Sequence, residues 1–436
     1  MKISATRINK SQPSAWWQAV SLVRESISNY AGQKPAMQGY EPNYLSSMEP
    51  LCQHLFLGVI RHLSRIDWIL SQNIRRTPRA GLQALLRVTT FEVLVAEGEA
   101  GRIPKVIDHA VEQAKTRFSL GESKLVNAVL RRVLDTDRVL WERADFRRVR
   151  DLSRCFSHPE GLVKRWVTAW GAESTRALLE WNQRPPHSYC ARRGDSQEDL
   201  RGLESTDFPG FFRIVNSEGW QTAQEAISRG RAYIQDPATA RAPAAAELES
   251  GLRILDLCSA PGGKAWQLLG SDPRELVSVD RDRSHLGVRY EQWVENLERF
   301  PESVRLVECD LVQNNLVDRL QEAGIPPFFD RVFIDVPCSN TGVIRRRPEV
   351  RWRLEEDSFQ EMSALQLRLL EVAADRVQAG GRLIYSTCSL ESEENQEVAQ
   401  CFSREHPEFQ NVVSRVYFPW ETGHDGAGVF TWRKSG

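Results

Sequence analysis

The stretch Asp330-Arg331-Val332-Phe333-Ile334-Asp335-Val336-Pro337-Cys338 is an apolar strand pattern that stops at a carboxylate, a proline and a thiol. In an open α/β sheet, ligands bind beyond the carboxyl ends of the strands. A second apolar run, Arg382 to Ser389, ends in the same way at Cys388. A single such cysteine usually only packs, like a small apolar residue. Two thiols at two strand ends predict a shared chemical role.

Around these two runs, the C-terminal half alternates between strand and helix patterns. The predicted strands are residues 252–258, 276–279, 304–307, 331–336 and 383–386. This alternation predicts an α/β fold with a doubly wound, mostly parallel sheet. Two further apolar runs, 416–420 and 429–432, flank a glycine-containing turn and predict a closing hairpin.

The N-terminal part has helical periodicity instead. Apolar residues recur at three- and four-residue intervals within 12–150, with breaks at Pro50, Pro78 and Pro104, which predicts a compact all-α bundle. Residues 31–50 form either a loop or an ordered insertion. The mixed pattern of 151–231 predicts a small α+β linker module. The predicted domains are therefore 1–150, 151–231 and 232–436.

Composition excludes several classes of protein. A hydrophobic content of 41% and a charged content of 26% are ordinary for a globular protein. The eight cysteines show no C-x-x-C pair, so neither a disulfide framework nor a metal site is expected. No signal peptide or run of 18 apolar residues is evident, which predicts a cytoplasmic protein without a membrane partner. Residues 1–150 carry 23 Lys+Arg against 14 Asp+Glu, a basic excess that favours a nucleic-acid surface.

The first strand of the sheet runs into a candidate cofactor site, Asp256 to Lys264. Glycines after a strand let a ligand approach the backbone closely. Asp256 suits an ammonium group, Asp280 at the next strand end suits ribose hydroxyls, and Asp310 at the third suits an exocyclic amine. A cationic amino acid, a ribose and an adenine together indicate S-adenosylmethionine. A dinucleotide oxidoreductase is the competing interpretation, but the third glycine of its motif is missing and Pro261 interrupts the turn.

The paired thiols fit methylation of carbon 5 of a cytosine. That carbon becomes nucleophilic only after a thiolate adds to carbon 6 while a proton donor assists the ring, and a base must later remove the carbon 5 proton. Cys338, Cys388 and Asp335 supply these group types, and the charge of Lys264 can lower a thiol pKa. Residue chemistry does not decide which thiol attacks. DNA cytosine-5 methyltransferases use a Pro-Cys thiol, which favours Cys338.

Several blocks resemble the signature motifs of RNA cytosine-5 methyltransferases, and more narrowly those of the ribosomal RNA small subunit methyltransferase B family, also called Fmu or Sun. The similar blocks are 256–264, 335–339, 387–389, 393–395, 233–237, 341–346 and, near the end of the helical region, 125–131. The resemblance covers nearly the whole chain. It implies a Rossmann-like methyltransferase domain preceded by a helical domain with the fold of the antitermination factor NusB.

The resemblance also implies roles for individual residues. Cys388 would be the nucleophile, Cys338 would help to release the product, and Asp335 would hold the base edge. The implied cofactor-binding residues are Asp256, Cys258, Ala260, Pro261, Gly262, Gly263, Lys264, Asp280, Arg281, Asp310 and Asp335. Two blocks depart from the family pattern: Ala265-Trp266 follows the lysine, and 424–430 contains extra residues.

A basic, aromatic run after the catalytic strand predicts RNA contacts, because cations bind phosphate and aromatic rings stack on bases. The predicted RNA-binding residues are Arg345, Arg346, Arg347, Arg351 and Trp352. The expected function is S-adenosylmethionine-dependent cytosine carbon-5 methylation of 16S ribosomal RNA by a monomer. The alternatives are a transfer-RNA cytosine-5 methyltransferase and a non-catalytic RNA-binding assembly factor.

Overall fold

The computed structural model describes residues 14–27, 48–99, 101–193, 200–298, 304–313 and 315–436. The candidate insertion at 31–50 lies outside these residues except for its last three. The chain divides into two compact units, Met1–Gln183 with Arg351–Arg353, and Arg184–Val350 with Leu354–Gly436. The helical unit thus runs past the predicted boundary at 150, and it includes a short segment from the C-terminal half of the sequence.

The first unit is helical throughout its described elements. They are α1 (Ala15–Ile27), α2 (Pro50–Arg61), α3 (Leu63–Asn73), α4 (Ala80–Val95), α5 (Arg102–Arg117), α6 (Leu120–Leu130), α7 (Val133–Arg143), α8 (Val149–Cys155) and α9 (Glu160–Gln183). Local sequence explains several boundaries. Pro50 occupies the first turn of α2, where a missing N–H costs nothing. Ser119 and Glu122 form a reciprocal capping box that starts α6. Gly171, with φ of 80°, kinks α9.

The core of this unit gathers one apolar face from most of these helices. Trp16, Phe56, Leu85 and Val126 belong to one continuous buried cluster, as the three- and four-residue spacing predicts. Trp352 belongs to the same cluster although it lies far along the chain. No helix among the described residues is both long and apolar enough to cross a membrane.

The second unit contains two sheets. Its strands are β1 (Ser188–Arg192), β2 (Glu204–Ser205), β3 (Phe211–Ile214), β4 (Ala232–Ile234), β5 (Arg253–Leu257), β6 (Glu275–Asp280), β7 (Val304–Glu308), β8 (Phe329–Asp335), β9 (Val377–Thr387), β10 (Phe409–Tyr417) and β11 (Ala427–Lys434). Its helices are α10 (Ser217–Ser228), α11 (Arg241–Ala244), α12 (Gly263–Leu268), α13 (Arg283–Leu286), α14 (Val288–Leu297), α15 (Leu316–Glu322), α16 (Val350–Arg353, mostly in the first unit), α17 (Ser358–Ala374), α18 (Val398–Glu405) and α19 (Pro419–Thr422).

The small sheet is antiparallel, in the order β2-β3-β1-β4, and packs with α10 as the predicted α+β module. The large sheet has the order β10-β11-β9-β8-β5-β6-β7. Its five strands from β9 to β7 are parallel, and β10 and β11 form the antiparallel hairpin. The predicted doubly wound, mostly parallel sheet with a closing hairpin is therefore confirmed.

The strand order reverses between β5 and β8, where the chain goes first to β6 and β7 and later to β8 and β9. At such a switch point the connections leave in opposite directions and open a crevice beyond the carboxyl ends of the strands. β5, β8 and β9 are adjacent there, so the candidate cofactor loop and both thiols follow neighbouring strands.

Candidate functional site

The two thiols meet beyond the ends of β8 and β9. These strands pair in parallel with Asp335 opposite Ser386, so the loops after them begin side by side. The Cys338 and Cys388 sulfur atoms lie 3.0 Å apart, and both thiols are free. This confirms the proximity that two strand-end cysteines suggest.

Asn340 fixes the geometry of the pair. Its backbone is left-handed, with φ of 62°, a conformation that asparagine tolerates better than most residues. The side-chain amide donates to the Cys338 carbonyl at 2.6 Å. The Cys388 thiol donates to the amide oxygen at 3.1 Å. One side chain thus ties the two cysteine loops together.

The two sulfur atoms differ in burial and in access to a cavity. The hydrogen bond with Cys388, followed by burial, raises the pKa of the Cys338 thiol well above its ordinary value. Cys338 is only 9% exposed. Cys388 is half-buried and lines a cavity of about 350 Å³, whereas Cys338 is not part of that lining. Cys338 therefore keeps its proton behind a sulfur atom that can reach a ligand.

Lys264 and Asp335 line the same cavity as Cys388. The Lys264 ammonium at the start of α12 pairs with one oxygen of Asp335. The Ser386 hydroxyl donates to the other oxygen at 2.8 Å. The structure thus brings together the predicted catalytic residues Asp335 and Cys338 from the end of β8, Cys388 from the end of β9, and the predicted cofactor residue Lys264 from the start of α12.

The cavity also has a charged cluster that the sequence did not reveal. Arg346 donates to Asp236 at 2.6 Å and to Asp425, and the Asp425 backbone N–H donates to Asp236 at 3.0 Å. Burial raises the pKa of the Asp425 carboxyl to about 7. One Asp425 oxygen has no hydrogen-bond partner among the described residues. The blocks 233–237 and 424–430 each resemble a family motif, but no local pattern predicts that they lie side by side.

The predicted cofactor residues lie at the ends of β5, β6 and β7. Asp256 is fully buried at the end of β5, and burial raises the pKa of its carboxyl to about 7. The Ser259 hydroxyl donates to one Asp256 oxygen at 2.6 Å. The other oxygen has no hydrogen-bond partner in the part of the chain that the structure describes.

Asp280 ends β6 beside this loop. It accepts hydrogen bonds from the backbone N–H groups of Ala260 at 2.8 Å and Arg281 at 2.7 Å. Burial raises the pKa of its carboxyl. Asp310 follows β7 and accepts from the Val312 N–H at 3.1 Å. The turn between Asp256 and Lys264 runs through Cys258 and Gly262, which have φ of 57° and 93°. Because β5, β6 and β7 are parallel neighbours, the three carboxylates share one edge of the sheet.

Two of the predicted RNA-binding residues, Arg351 and Trp352, are buried in the structure. Arg351 is 0% exposed in the first unit and donates to the Ser157 carbonyl at 3.1 Å. Trp352 is 4% exposed, and its indole N–H donates to the Ile60 carbonyl at 3.0 Å. A basic, aromatic run has the same local sequence pattern whether it faces solvent or is buried. The local sequence therefore could not distinguish an RNA-binding surface from a buried segment.

The three preceding arginines also have structural partners. Arg345 is 2% exposed and donates to the Pro185 carbonyl, so it is buried like Arg351 and Trp352. Arg346 is held by two carboxylates and faces the cavity. Arg347 is partly exposed and pairs with Glu349 at 3.2 Å; its RNA contact stays a prediction.

Two family models match the chain. Residues 243–423 match the model described as 16S rRNA methyltransferase RsmB/F. Residues 15–135 match the NusB family. The chain is also similar to proteins named ribosomal RNA small subunit methyltransferase B. The one from Salmonella typhi is 29% identical over 90% of this chain and 89% of that protein. The one from Klebsiella pneumoniae subsp. pneumoniae has the same identity and coverage.

Solved structures support the fold. The crystal structure of PH0851 covers 97% of this chain and 99% of its own, with a TM-score of 0.70 and 22% identity. NSun6 from Pyrococcus horikoshii with SFG covers 64% of this chain and 98% of its own, with a TM-score of 0.52 and 17% identity. These likenesses confirm the Rossmann-like methyltransferase architecture.

The cofactor of this methyltransferase class is S-adenosylmethionine, and the residues present fit it. The unpartnered, buried Asp256 oxygen is an acceptor that an ammonium group would satisfy. No G-x-G-x-x-G pyrophosphate cradle accompanies it. Residues 243–423 are thus similar to the RsmB/F family of 16S rRNA methyltransferases, and residues 15–135, which precede them, are similar to the NusB family.

Proposed function

We propose that the chain methylates carbon 5 of a cytosine in small-subunit ribosomal RNA through a covalent adduct between Cys388 and carbon 6. The observation that carries this proposal is the position of Cys388. Its thiol lines a cavity together with Lys264 and Asp335, while Cys338 lies 3.0 Å away outside the lining. A nucleophile must reach the base, whereas a proton carrier can act from behind it.

The residues have distinct tasks in this reaction. The Cys388 thiolate adds to carbon 6, and the π electron pair of the 5,6 double bond shifts to carbon 5, which makes that carbon nucleophilic. Asp335, fixed by Lys264 and Ser386, holds the polar edge of the base. After carbon 5 is methylated, its proton passes to the Cys338 sulfur atom while the Cys338 thiol proton passes to the Cys388 sulfur atom 3.0 Å away. The pair that bound the carbon 5 proton forms the 5,6 double bond again, and the carbon–sulfur bond breaks with its electron pair returning to Cys388.

Bound S-adenosylmethionine supplies an electrophilic methyl group. Asp256, Asp280 and Asp310, at the ends of three adjacent strands, would hold its amino, ribose and adenine parts, and Lys264, which lines the cavity, would lie beside it. Cys258, Ala260, Pro261, Gly262, Gly263 and Arg281 form the surrounding turns.

Ribosomal RNA is the proposed substrate because the similar proteins from Salmonella and Klebsiella are named small-subunit rRNA methyltransferases. The basic excess of residues 1–150 gives a surface that attracts a polyanion. A base that enters the cavity must be unstacked from its neighbours, which single-stranded or loop RNA permits. The chain acts as a monomer in the cytoplasm in this proposal.

Labelled S-adenosylmethionine with naked 16S rRNA or transfer RNA tests the substrate. We expect labelled 5-methylcytosine in 16S rRNA. Label in transfer RNA alone would show that the proposed substrate is wrong. RNA binding without any transfer of label would indicate a non-catalytic assembly factor. Cys388→Ala should abolish methylation. Cys338→Ala should still form the adduct and remain bound to RNA in denaturant. A trapped complex with Cys388→Ala instead would reverse the two roles.

A further inference from the structure

Gln235 brings an unpartnered amide to the cavity that Cys388 lines. The residue directly follows β4, and its backbone N–H donates to the Tyr189 carbonyl at 3.2 Å. Both polar atoms of its side chain, Nε2 and Oε1, are buried and have no hydrogen-bond partner among the described residues. Gln235 belongs to the lining of the cavity. A buried amide without partners costs free energy, and a ligand that supplies the partners would explain it.

The backbone is fixed on both sides of Gln235. Before it, β4 pairs with β1. After it, Asp236 accepts from the Arg346 guanidinium at 2.6 Å and from the Asp425 backbone N–H at 3.0 Å. The amide oxygen of Gln235 lies 3.4 Å from the position that a Cβ atom would take at Gly263, so the side chain packs against the cofactor turn. The amide is therefore held in place before a substrate arrives.

The other residues of the cavity indicate which ligand the amide faces. In the proposed reaction the target base must lie in this cavity, because the Cys388 sulfur atom has to reach carbon 6. Among the described residues, Lys264 and Asp335 line the cavity as well, whereas the three predicted cofactor carboxylates at the ends of β5, β6 and β7 do not. The lining thus favours the base, rather than the cofactor, as the partner of Gln235.

The polar edge of cytosine has one donor, the 4-amino group, and two acceptors, N3 and O2. A carboxylate oxygen of Asp335 accepts, so it suits the amino group. N3 and O2 need donors. Both cations that the described residues contribute to the lining are already paired, Lys264 with Asp335 and Arg346 with Asp236. The Nε2 group of Gln235 is a donor without a partner, and it therefore suits one of the two acceptors.

We propose that Gln235 is a further residue that contacts the substrate, and that its amide donates a hydrogen bond to O2 or N3 of the target cytosine. This role rests on the proposed cytosine methylation. When the Cys388 thiolate forms its bond to carbon 6, the π pair that shifts to carbon 5 is delocalised through the ring onto N3 and O2. A donor fixed in advance binds this developing negative charge more strongly than it binds the neutral base. The amide thereby lowers the barrier to the addition.

The test uses Gln235→Met in the full chain, which removes both polar atoms and keeps the length of the side chain. Single-turnover methylation of 16S rRNA, with enzyme and S-adenosylmethionine saturating, should be slower than wild type by about 100-fold. The dissociation constant of S-adenosylmethionine, measured by calorimetry without RNA, should equal that of wild type. The Tm of the protein alone should equal or exceed that of wild type, because two unpartnered buried atoms are gone.

Gln224→Met is the matched control, because Gln224 is exposed on α10, and it should match wild type in all three measurements. A Gln235→Met protein that methylates as fast as wild type overturns the proposal. Weaker binding of S-adenosylmethionine without RNA overturns it too, because Gln235 would then hold the cofactor. A Tm below that of wild type, or a failure to fold, shows that the polar atoms support the fold and also overturns it. If wild type itself makes no 5-methylcytosine, the proposed function is refuted and the role of Gln235 with it.

Discussion

Trp352 provides a direct test of the distinction between a core residue and an RNA contact. Its indole is 4% exposed, packs in the helical unit and donates to the Ile60 carbonyl. Trp352→Ala removes the ring and leaves that carbonyl without its donor. If the residue stacked on RNA instead, the same change would weaken RNA binding and leave stability almost unaltered.

The expected cost follows from these contacts. Removing a buried tryptophan ring costs about 3–5 kcal/mol in unfolding free energy. Trp352→Phe keeps most of the apolar contact but loses the hydrogen bond. That loss should lower the unfolding free energy by about 1 kcal/mol. For a unit of this size, each kcal/mol shifts Tm by roughly 2–4 °C. Trp352→Ala should therefore lower the Tm of the helical unit by roughly 6–20 °C.

Circular dichroism of the full chain during heating measures this effect. Trp220→Ala is the matched control, because Trp220 is 41% exposed and its removal should change unfolding free energy by about 0.5 kcal/mol or less. RNA affinity, measured well below the transition, should be equal in the three proteins. A Trp352→Ala protein as stable as wild type but with weakened RNA binding would refute the burial argument.

Two further predictions concern the carboxylates of the site. Burial raises the pKa of Asp256 from 3.8 to about 7, so the folded state holds a proton that the unfolded state loses, and stability falls as pH rises between these values. Asp256→Asn should therefore be more stable than wild type by a few kcal/mol at about pH 8 and nearly as stable as wild type at about pH 4. Calorimetry should show that it binds S-adenosylmethionine more weakly. Lower stability than wild type at both pH values would contradict this reasoning. Arg346→Ala leaves Asp236 and Asp425 buried without their cation. Denaturant unfolding should show that the free energy of unfolding falls by about 3–5 kcal/mol, and by less in Arg346→Lys. Equal stability of Arg346→Ala and wild type would show that the two carboxylates do not need the arginine.

The strand-end residues were predictable because strand period and strand position are local properties. Asp256, Asp280, Asp335 and the two cysteines each end an apolar run, and parallel strands bring their carboxyl ends to one edge. Residue chemistry left open which of the two thiols attacks. The structure adds that Cys388, and not Cys338, lines the cavity, and that Asn340 contacts both cysteine loops.

By itself, the sequence determined the order of elements, the doubly wound sheet, the cofactor edge and the pair of thiols, because periodicity and motif spacing are written along the chain. Only the tertiary structure decided which charged residues are buried. It buries three residues that the sequence predicts as RNA contacts, Arg345, Arg351 and Trp352. It also brings Asp236, Arg346 and Asp425 together at the cavity. Burial and pairing depend on what distant segments place beside a residue, and a local pattern carries no information about that partner.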